Sequence, residues 1–207
     1  MLDKIIIEFD KALKSLTTKP KSTRIHPDEN VQEKSILSQQ EKQLSISLMR
    51  VNHSGEVCAQ ALYQGQSLIT RNVDLKNRFL VAAMEENDHL AWTNKRIEDL
   101  GGRTSIFNPI LYVSSFTLGL ASGLLGDQWS LGFLKETETQ VEKHLENHQH
   151  KIPIPDKESF LILEQMKLDE REHANMAKEN GAIELPIFIK KSMSLMSKIM
   201  IKTTYYI

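Results

Sequence analysis

Two short stretches combine carboxylates and imidazoles at a spacing that can do chemistry. They are Glu86 and His89 in AAMEENDHLAW (82–92), and Glu170 and His173 in QMKLDEREHANMA (165–177). Side chains three residues apart on a helix project about 60 degrees from each other, near enough to grip one metal ion. Each pair is preceded, about thirty residues upstream, by another acid, Glu56 or Glu138. The offset between the two halves is 82 for the first Glu and 84 for both members of the pair. The chain therefore reads as two helix pairs related by a pseudo-twofold.

Helical periodicity chooses among neighbouring acids. The stripe Leu75, Phe79, Ala82, Glu86, His89, Thr93, Ile97, Leu100 is apolar except at its chemistry-bearing members. The register through Glu85 instead collects Arg78 and Asp88, residues that belong in water. Glu170 and His173 share a stripe with Leu163, Met166 and Ala177, whereas Glu172 aligns with Gln165 and Glu179. Glu138 lies among Leu131, Leu134, Val141 and Leu145, with Glu142 left as the alternative. Glu56 shares its face with Met49, Ala59 and Tyr63, and is accepted mainly because it completes the repeat. A lone Glu-x-x-His is usually a solvated pair; two of them on apolar stripes, each with an inward Glu upstream, are not.

Four buried carboxylates would each cost several kcal/mol if left bare. Two divalent cations would balance them, with neutral imidazoles completing the shell. One Glu from each of two helices and a Glu-x-x-His pair from each of two others is the ligand set of ferritin-like di-iron and di-manganese bundles. The mixed oxygen and nitrogen donors suit iron that activates oxygen, and manganese fits them as well.

The elements needed to position these residues can be read from the same pattern. Helices are predicted from about Leu44 to Ile69, from Asp74 to Leu100 with Gly101 and Gly102 as the cap, and from Asn108, where Asn caps and Pro109 suits the first turn, toward His148 with a break near Gly126. Another runs from Lys157 to Asn180, ending at Gly181, and a last one follows Pro186. No segment alternates as a strand, so the fold class is all-α: a ferritin-like four-helix bundle with additional hydrophobic helices. The chain divides at about residue 40. Residues 1–40 hold an amphipathic helix carrying Ile5, Ile6, Phe9, Leu13 and Leu16, then a flexible connection, TTKPKSTRIHPDENVQEK; residues 41–207 form the bundle.

With 207 residues, one domain with a sizeable core is expected, and 26 basic residues against 27 acidic ones give no charge-based reason for a nucleic-acid partner. The single cysteine, Cys58, cannot form an internal disulfide, fits a reducing compartment and reads as a small buried residue. The N-terminal stretch lacks the pattern of a secretory signal, so a cytoplasmic protein is expected.

Thr104 to Gly126 contains no charged residue, yet its Asn, Pro and serines make a poor transmembrane helix. An interfacial surface is expected there, the plainer reading being a buried core helix. The tail IKKSMSLMSKIMIKTTYYI sets Lys190, Lys191, Lys198 and Lys202 beside Ile, Leu and Met, as a helix lying on anionic lipid would. Both features point to a lipid substrate. Iron storage or peroxide consumption by a ferritin-like protein is the rival reading, and it leaves the uncharged stretch without a purpose.

Taken together, LMRVNHSGEVCAQALYQGQ, EENDHLAW, TETQVEKHLENH and LDEREHANMA resemble the demethoxyubiquinone hydroxylase family of ubiquinone biosynthesis, from about Leu44 to the C-terminus. The resemblance implies a ferritin-like di-iron monooxygenase with two Fe2+ ions, peripheral on the cytoplasmic side of a bacterial inner membrane. Its reactants would be dioxygen and a polyprenylated methoxy-methyl-benzoquinone whose ring it hydroxylates, and its partners would include other ubiquinone-biosynthesis proteins. Carried over by position, Glu56, Glu86, His89, Glu138, Glu170 and His173 match the six iron ligands. Glu138 is expected to bridge the irons with one or more other Glu, and His89 and His173 to bind one each. His144 matches a histidine near the substrate, its plainer reading being a half-exposed helix residue. Tyr63 is a candidate for lining the ring pocket, or else core.

Overall fold

The computed structural model describes residues 10, 12–32 and 34–207. Six long helices follow one another: α1 (Gln39–Ile69), α2 (Val73–Asp99), α3 (Asn108–Leu124), α4 (Asp127–Gln149), α5 (Lys157–Glu179) and α6 (Ile187–Thr204). No strand occurs among the described residues. Residues 12–17 are helical, so Leu13 and Leu16 lie on the expected first helix, while Ile5, Ile6 and Phe9 fall outside the described residues.

α1 begins five residues before the predicted Leu44, because Ser38 and Glu41 form a reciprocal capping box: the Ser38 hydroxyl accepts from the Glu41 amide and the Glu41 carboxylate accepts from that of Ser38. Gly101, Gly126 and Gly181, predicted to end or interrupt helices, are the residues with positive φ among those described. At Gly126 that value, 105°, breaks the predicted third stretch into α3 and α4. Asn108 does not cap α3 as predicted. It is already helical, Phe107 is the capping residue, and the Asn108 side chain accepts a hydrogen bond from Ser54 on α1.

α1 and α2 form one antiparallel pair and α4 and α5 another; α1 packs on α4 and α2 on α5 to close the bundle. Two apolar layers fill it. One contains Met49, Trp92, Ile97, Leu145, Ile162 and Met166. The other contains Leu62, Phe79, Leu131, Leu134 and Ala177. The Glu and His residues lie in the layer between them. Every member of the α2 and α5 stripes predicted from periodicity is buried.

The two added helices are attached differently. α3 lies against α1 at backbone contact: a Cβ placed on Gly65 would come within 2.5 Å of the Phe116 carbonyl oxygen, and one on Gly119 within 2.4 Å of that of Leu62. Only hydrogen fits at either position. α6 crosses α1 and α4 through side chains, with Lys190 paired to Glu136 and Glu184 at one end. At the other end Arg50 donates to the Tyr205 carbonyl oxygen. None of the described helices is long and apolar enough to cross a membrane.

After Thr17, the described residues of the segment read as a flexible connection have no regular secondary structure, but the segment is fastened to the bundle. The Lys21 carbonyl accepts from Asn87, the Ser22 hydroxyl accepts from the Trp92 indole, and the Thr23 amide and Arg24 guanidinium donate to Asp88. Ser35 donates to Glu158. Asp88, which the sequence reading placed in water, is therefore buried, 1% exposed, because its partners come from 64 residues away.

Candidate metal centre

α1 contributes Glu56, α2 Glu86 and His89, α4 Glu138, and α5 Glu170 and His173; none is more than 4% exposed. Their donor atoms form two overlapping groups, Glu56, Glu86, His89, Glu170 and Glu86, Glu138, Glu170, His173, with the atoms of each group within 4.8 Å of one another. Glu86 and Glu170 belong to both. Glu138, expected to bridge, belongs only to the second, as Glu56 belongs only to the first. Glu86 and Glu170 stand on α2 and α5, which pack on each other, and this sets them between the two upstream acids.

The imidazoles are oriented alike. His89 Nδ1 lies 3.3 Å from Glu56 and 3.2 Å from Glu86, and His173 Nδ1 lies 3.3 Å from both Glu86 and Glu170. The opposite nitrogens donate outward: His89 Nε2 to Asp169 at 2.8 Å and His173 Nε2 to Glu85 at 2.6 Å. Those bonds fix the ring orientation, so that in the neutral, metal-binding form the Nδ1 lone pair is turned into the cluster. Each histidine thus takes its acid from the residue immediately before the other motif's Glu. The 84-residue repeat holds at that position too, so extending it back by one would have identified Glu85 and Asp169 in the sequence.

Beyond Asp169 the contacts continue: Arg24 Nη2 donates to Asp169 Oδ2 at 2.8 Å and Gln165 donates to Oδ1 at 2.9 Å. Burial would raise the Asp169 carboxyl, but hydrogen bonds from His89 and Arg24 outweigh it and hold it down at about 2. Tyr63 is core, packed against Phe79, with its hydroxyl donating to Glu138 Oε1 at 2.8 Å. Glu142 is out of reach of the cluster and pairs with Arg171 on the surface.

The electrostatics are those of an over-concentrated acid cluster. Burial first, and the Glu86 charge after it, push the Glu56 carboxyl well above the carboxylate range. Burial and the charges of Glu170 and Glu86 do the same to Glu138. Burial opposes the charged form of His89, but hydrogen bonds to Asp169, Glu170, Glu56 and Glu86 raise it well above its ordinary value. Glu86 is pulled the other way, below the carboxylate range, because hydrogen bonds with His173 and His89 outweigh its burial. Glu138 Oε2 is buried without a hydrogen-bond partner, and Glu86 Oε1 and Glu170 Oε1 face only an imidazole Nδ1, at 3.3 and 3.4 Å. Oxygen lone pairs so placed, with two inward imidazole nitrogens, fit a pair of divalent cations.

An apolar cavity of about 400 Å³ opens between α1, α3, α4 and α6 and reaches Glu56 at its inner end. Cys58, half-buried, lines it, and burial pushes its thiol up to about 11. Met193, Met196 and Met200 of α6 and Phe133 of α4 form the opposite wall. His144 lines it as well; burial, with Lys151 adding, lowers it to about 4, so the ring is neutral, and its Nε2 has no hydrogen-bond partner. Tyr63 does not line the cavity.

The sequence profile of the family described as ubiquinone biosynthesis protein COQ7 matches residues 43–204. The chain belongs to this family. Among curated relatives, the 3-demethoxyubiquinol 3-hydroxylase of Chromobacterium violaceum is 51% identical over 205 residues, 99% of both chains. Those of Nitrosomonas europaea and Legionella pneumophila (strain Paris) are each 50% identical, covering 100% of this chain and 99% and 97% of theirs. The match begins near the start of α1 and ends at the last residue of α6, so it takes in all six cluster residues and the cavity.

Proposed function

We propose that this COQ7-family protein is a 3-demethoxyubiquinol 3-hydroxylase in which Glu56, Glu86, His89, Glu138, Glu170 and His173 hold two iron ions. Glu56, Glu86, His89 and Glu170 would hold one ion and Glu86, Glu138, Glu170 and His173 the other, with His89 and His173 each presenting Nδ1. The observation that carries this reading is the apolar cavity ending at Glu56: a storage site needs no 400 Å³ of hydrocarbon-lined space at its edge. Iron bound there would supply the activation of dioxygen, so that with two electrons and two protons a ring C–H could become C–OH and the second oxygen atom water. The two electrons come from a reductant or from the reduced substrate.

The chain's own residues do the rest. The cavity walls exclude water and hold the ring against the Glu56 side, and neutral His144 offers its free Nε2 to a ring oxygen. Ile110 and Val113 on α3 and Phe188, Leu195 and Ile199 on α6 are more than half exposed, with exposed Lys191, Lys198 and Lys202 nearby. Such a surface suits peripheral attachment to an anionic membrane, from which a polyprenyl tail enters the cavity.

The test is a quinone profile, by mass spectrometry, of cells lacking the protein, and of the same cells supplied with wild type or Glu170→Ala. Accumulation of the quinone lacking one ring oxygen substituent, relieved by wild type and not by the variant, is expected. Normal ubiquinone in the deleted cells, with no redundant enzyme, would overturn the reading.

A further inference from the structure

We propose that Arg24, in the segment preceding the bundle, is a positioning residue for the His89 half of the centre, acting through Asp169. The inference rests on the two-metal reading above.

Arg24 reaches four groups at once. Its Nη2 donates to Asp169 Oδ2 and its Nε to Asp88 Oδ2, at 2.8 and 3.0 Å. Its guanidinium lies over the Trp92 ring, 4.6 Å from the centroid. Its carbonyl oxygen accepts from the Ser22 hydroxyl, which itself accepts from the Trp92 indole. The guanidinium therefore ties α2, through Asp88 and Trp92, to α5, through Asp169, at the level where His89 donates Nε2–H to the same Asp169 oxygen. A planar fork with fixed donor directions does this; an ammonium would supply the charge without the geometry.

With Arg24 in place, Asp169 Oδ2 has one position, and the His89 ring is turned so that Nδ1 faces Glu56, Glu86 and Glu170. Without it, Asp169 keeps only Gln165 and His89, and is free to follow the imidazole rather than direct it. No described cation pairs with Glu85, the acid on His173. Arg24 thus acts on one of two otherwise matched halves, and a segment outside the four helices becomes part of the site.

The experiment is a titration of the ion-free protein with Co2+, followed by calorimetry and by the visible absorption of the bound ion, for wild type, Arg24→Ala, Arg24→Lys and Glu85→Gln. In Arg24→Ala, one of the two ions is expected to bind about 10-fold or more weakly with a displaced absorption band, the other keeping its affinity, since outer-shell partners typically contribute 10–100-fold in metal affinity. Arg24→Lys should recover part of that loss, and Glu85→Gln should weaken the other ion instead. Two ions bound by Arg24→Ala with wild-type affinity and spectrum would overturn the inference. So would equal weakening of both ions together with a lower thermal midpoint, the signature of a segment that merely holds the fold. Failure of the wild type to take up any Co2+ would overturn the two-metal reading and this inference with it.

Discussion

In the half of the centre formed by Glu56 and His89, the outer imidazole nitrogen meets Asp169, a side chain 9% exposed and gripped in turn by Arg24. In the half formed by Glu138 and His173, it meets Glu85, 37% exposed and facing solvent. The inner surroundings differ as well. Glu56 looks into the apolar cavity, while Glu138 is turned into the core and holds the Tyr63 hydroxyl. A repeat that matches in residue types has been given one side that opens on an apolar cavity and is braced from behind, and another sealed in the core with a looser brace. Two ions in such a setting would not be interchangeable.

The largest effect should come from a residue that both halves share. Glu170→Ala removes a donor from each group, so both ions and all hydroxylation should be lost in metal analysis and quinone assay; a variant retaining two ions and full turnover would remove Glu170 from the site. Next, Asp169→Asn and Glu85→Gln make the same chemical change on opposite halves. The first should lower kcat/KM toward the upper end of the roughly 10–100-fold range for outer-shell partners, and the second by less than about 10-fold. Equal losses would erase the asymmetry.

A smaller effect belongs to the sealed half. Tyr63→Phe takes the donor from Glu138 Oε1 and leaves a buried acceptor unsatisfied, which should destabilise the ion-free protein by roughly 1–3 kcal/mol in urea denaturation. With metal bound the loss should shrink.

The effect that vanishes at neutral pH is in a histidine that the cluster does not use. His148, bonded through Nδ1 to Asn52, is pushed down to about 2 by burial, with His144 and Lys151 adding. Its folded value lies below its unfolded one, so the unfolded chain takes the proton first. The contribution is complete above about pH 6.5 and is lost as pH falls below it, by up to about 1.4 kcal/mol per pH unit. His148→Gln should flatten the slope of stability between pH 6.5 and 4 relative to wild type; parallel slopes would show that His148 charges freely in the folded protein.

The faces of α2 and α5 were legible in the sequence because burial repeats every three to four residues, and Glu86, His89, Glu170 and His173 stand where apolar residues would otherwise be. Glu138 was separable from Glu142 on the same ground. What periodicity does not carry is contact between distant segments. Arg24 lies in a stretch with two prolines and few apolar residues, and nothing within it announces Asp88 or Asp169 as partners. The start of α1 was misplaced because Ser38 and Glu41, a local signal, precede the apolar run by several residues. Which carboxylates the two donor groups share depends on which helices face each other, and spacing along one chain does not say.

The glycine contact between α1 and α3 bears on how this cavity can diversify. On that side the helix spacing is set by main-chain atoms meeting at Gly65 and Gly119, so any larger residue there opens the fold rather than the cavity. The opposite wall is made of Phe133 and the unbranched, adaptable side chains of Met193, Met196 and Met200. Exchange of one such residue for a longer or shorter one changes cavity volume at little cost to the bundle. The shape of the cavity is therefore adjustable on α4 and α6 and resistant to change where α1 and α3 meet.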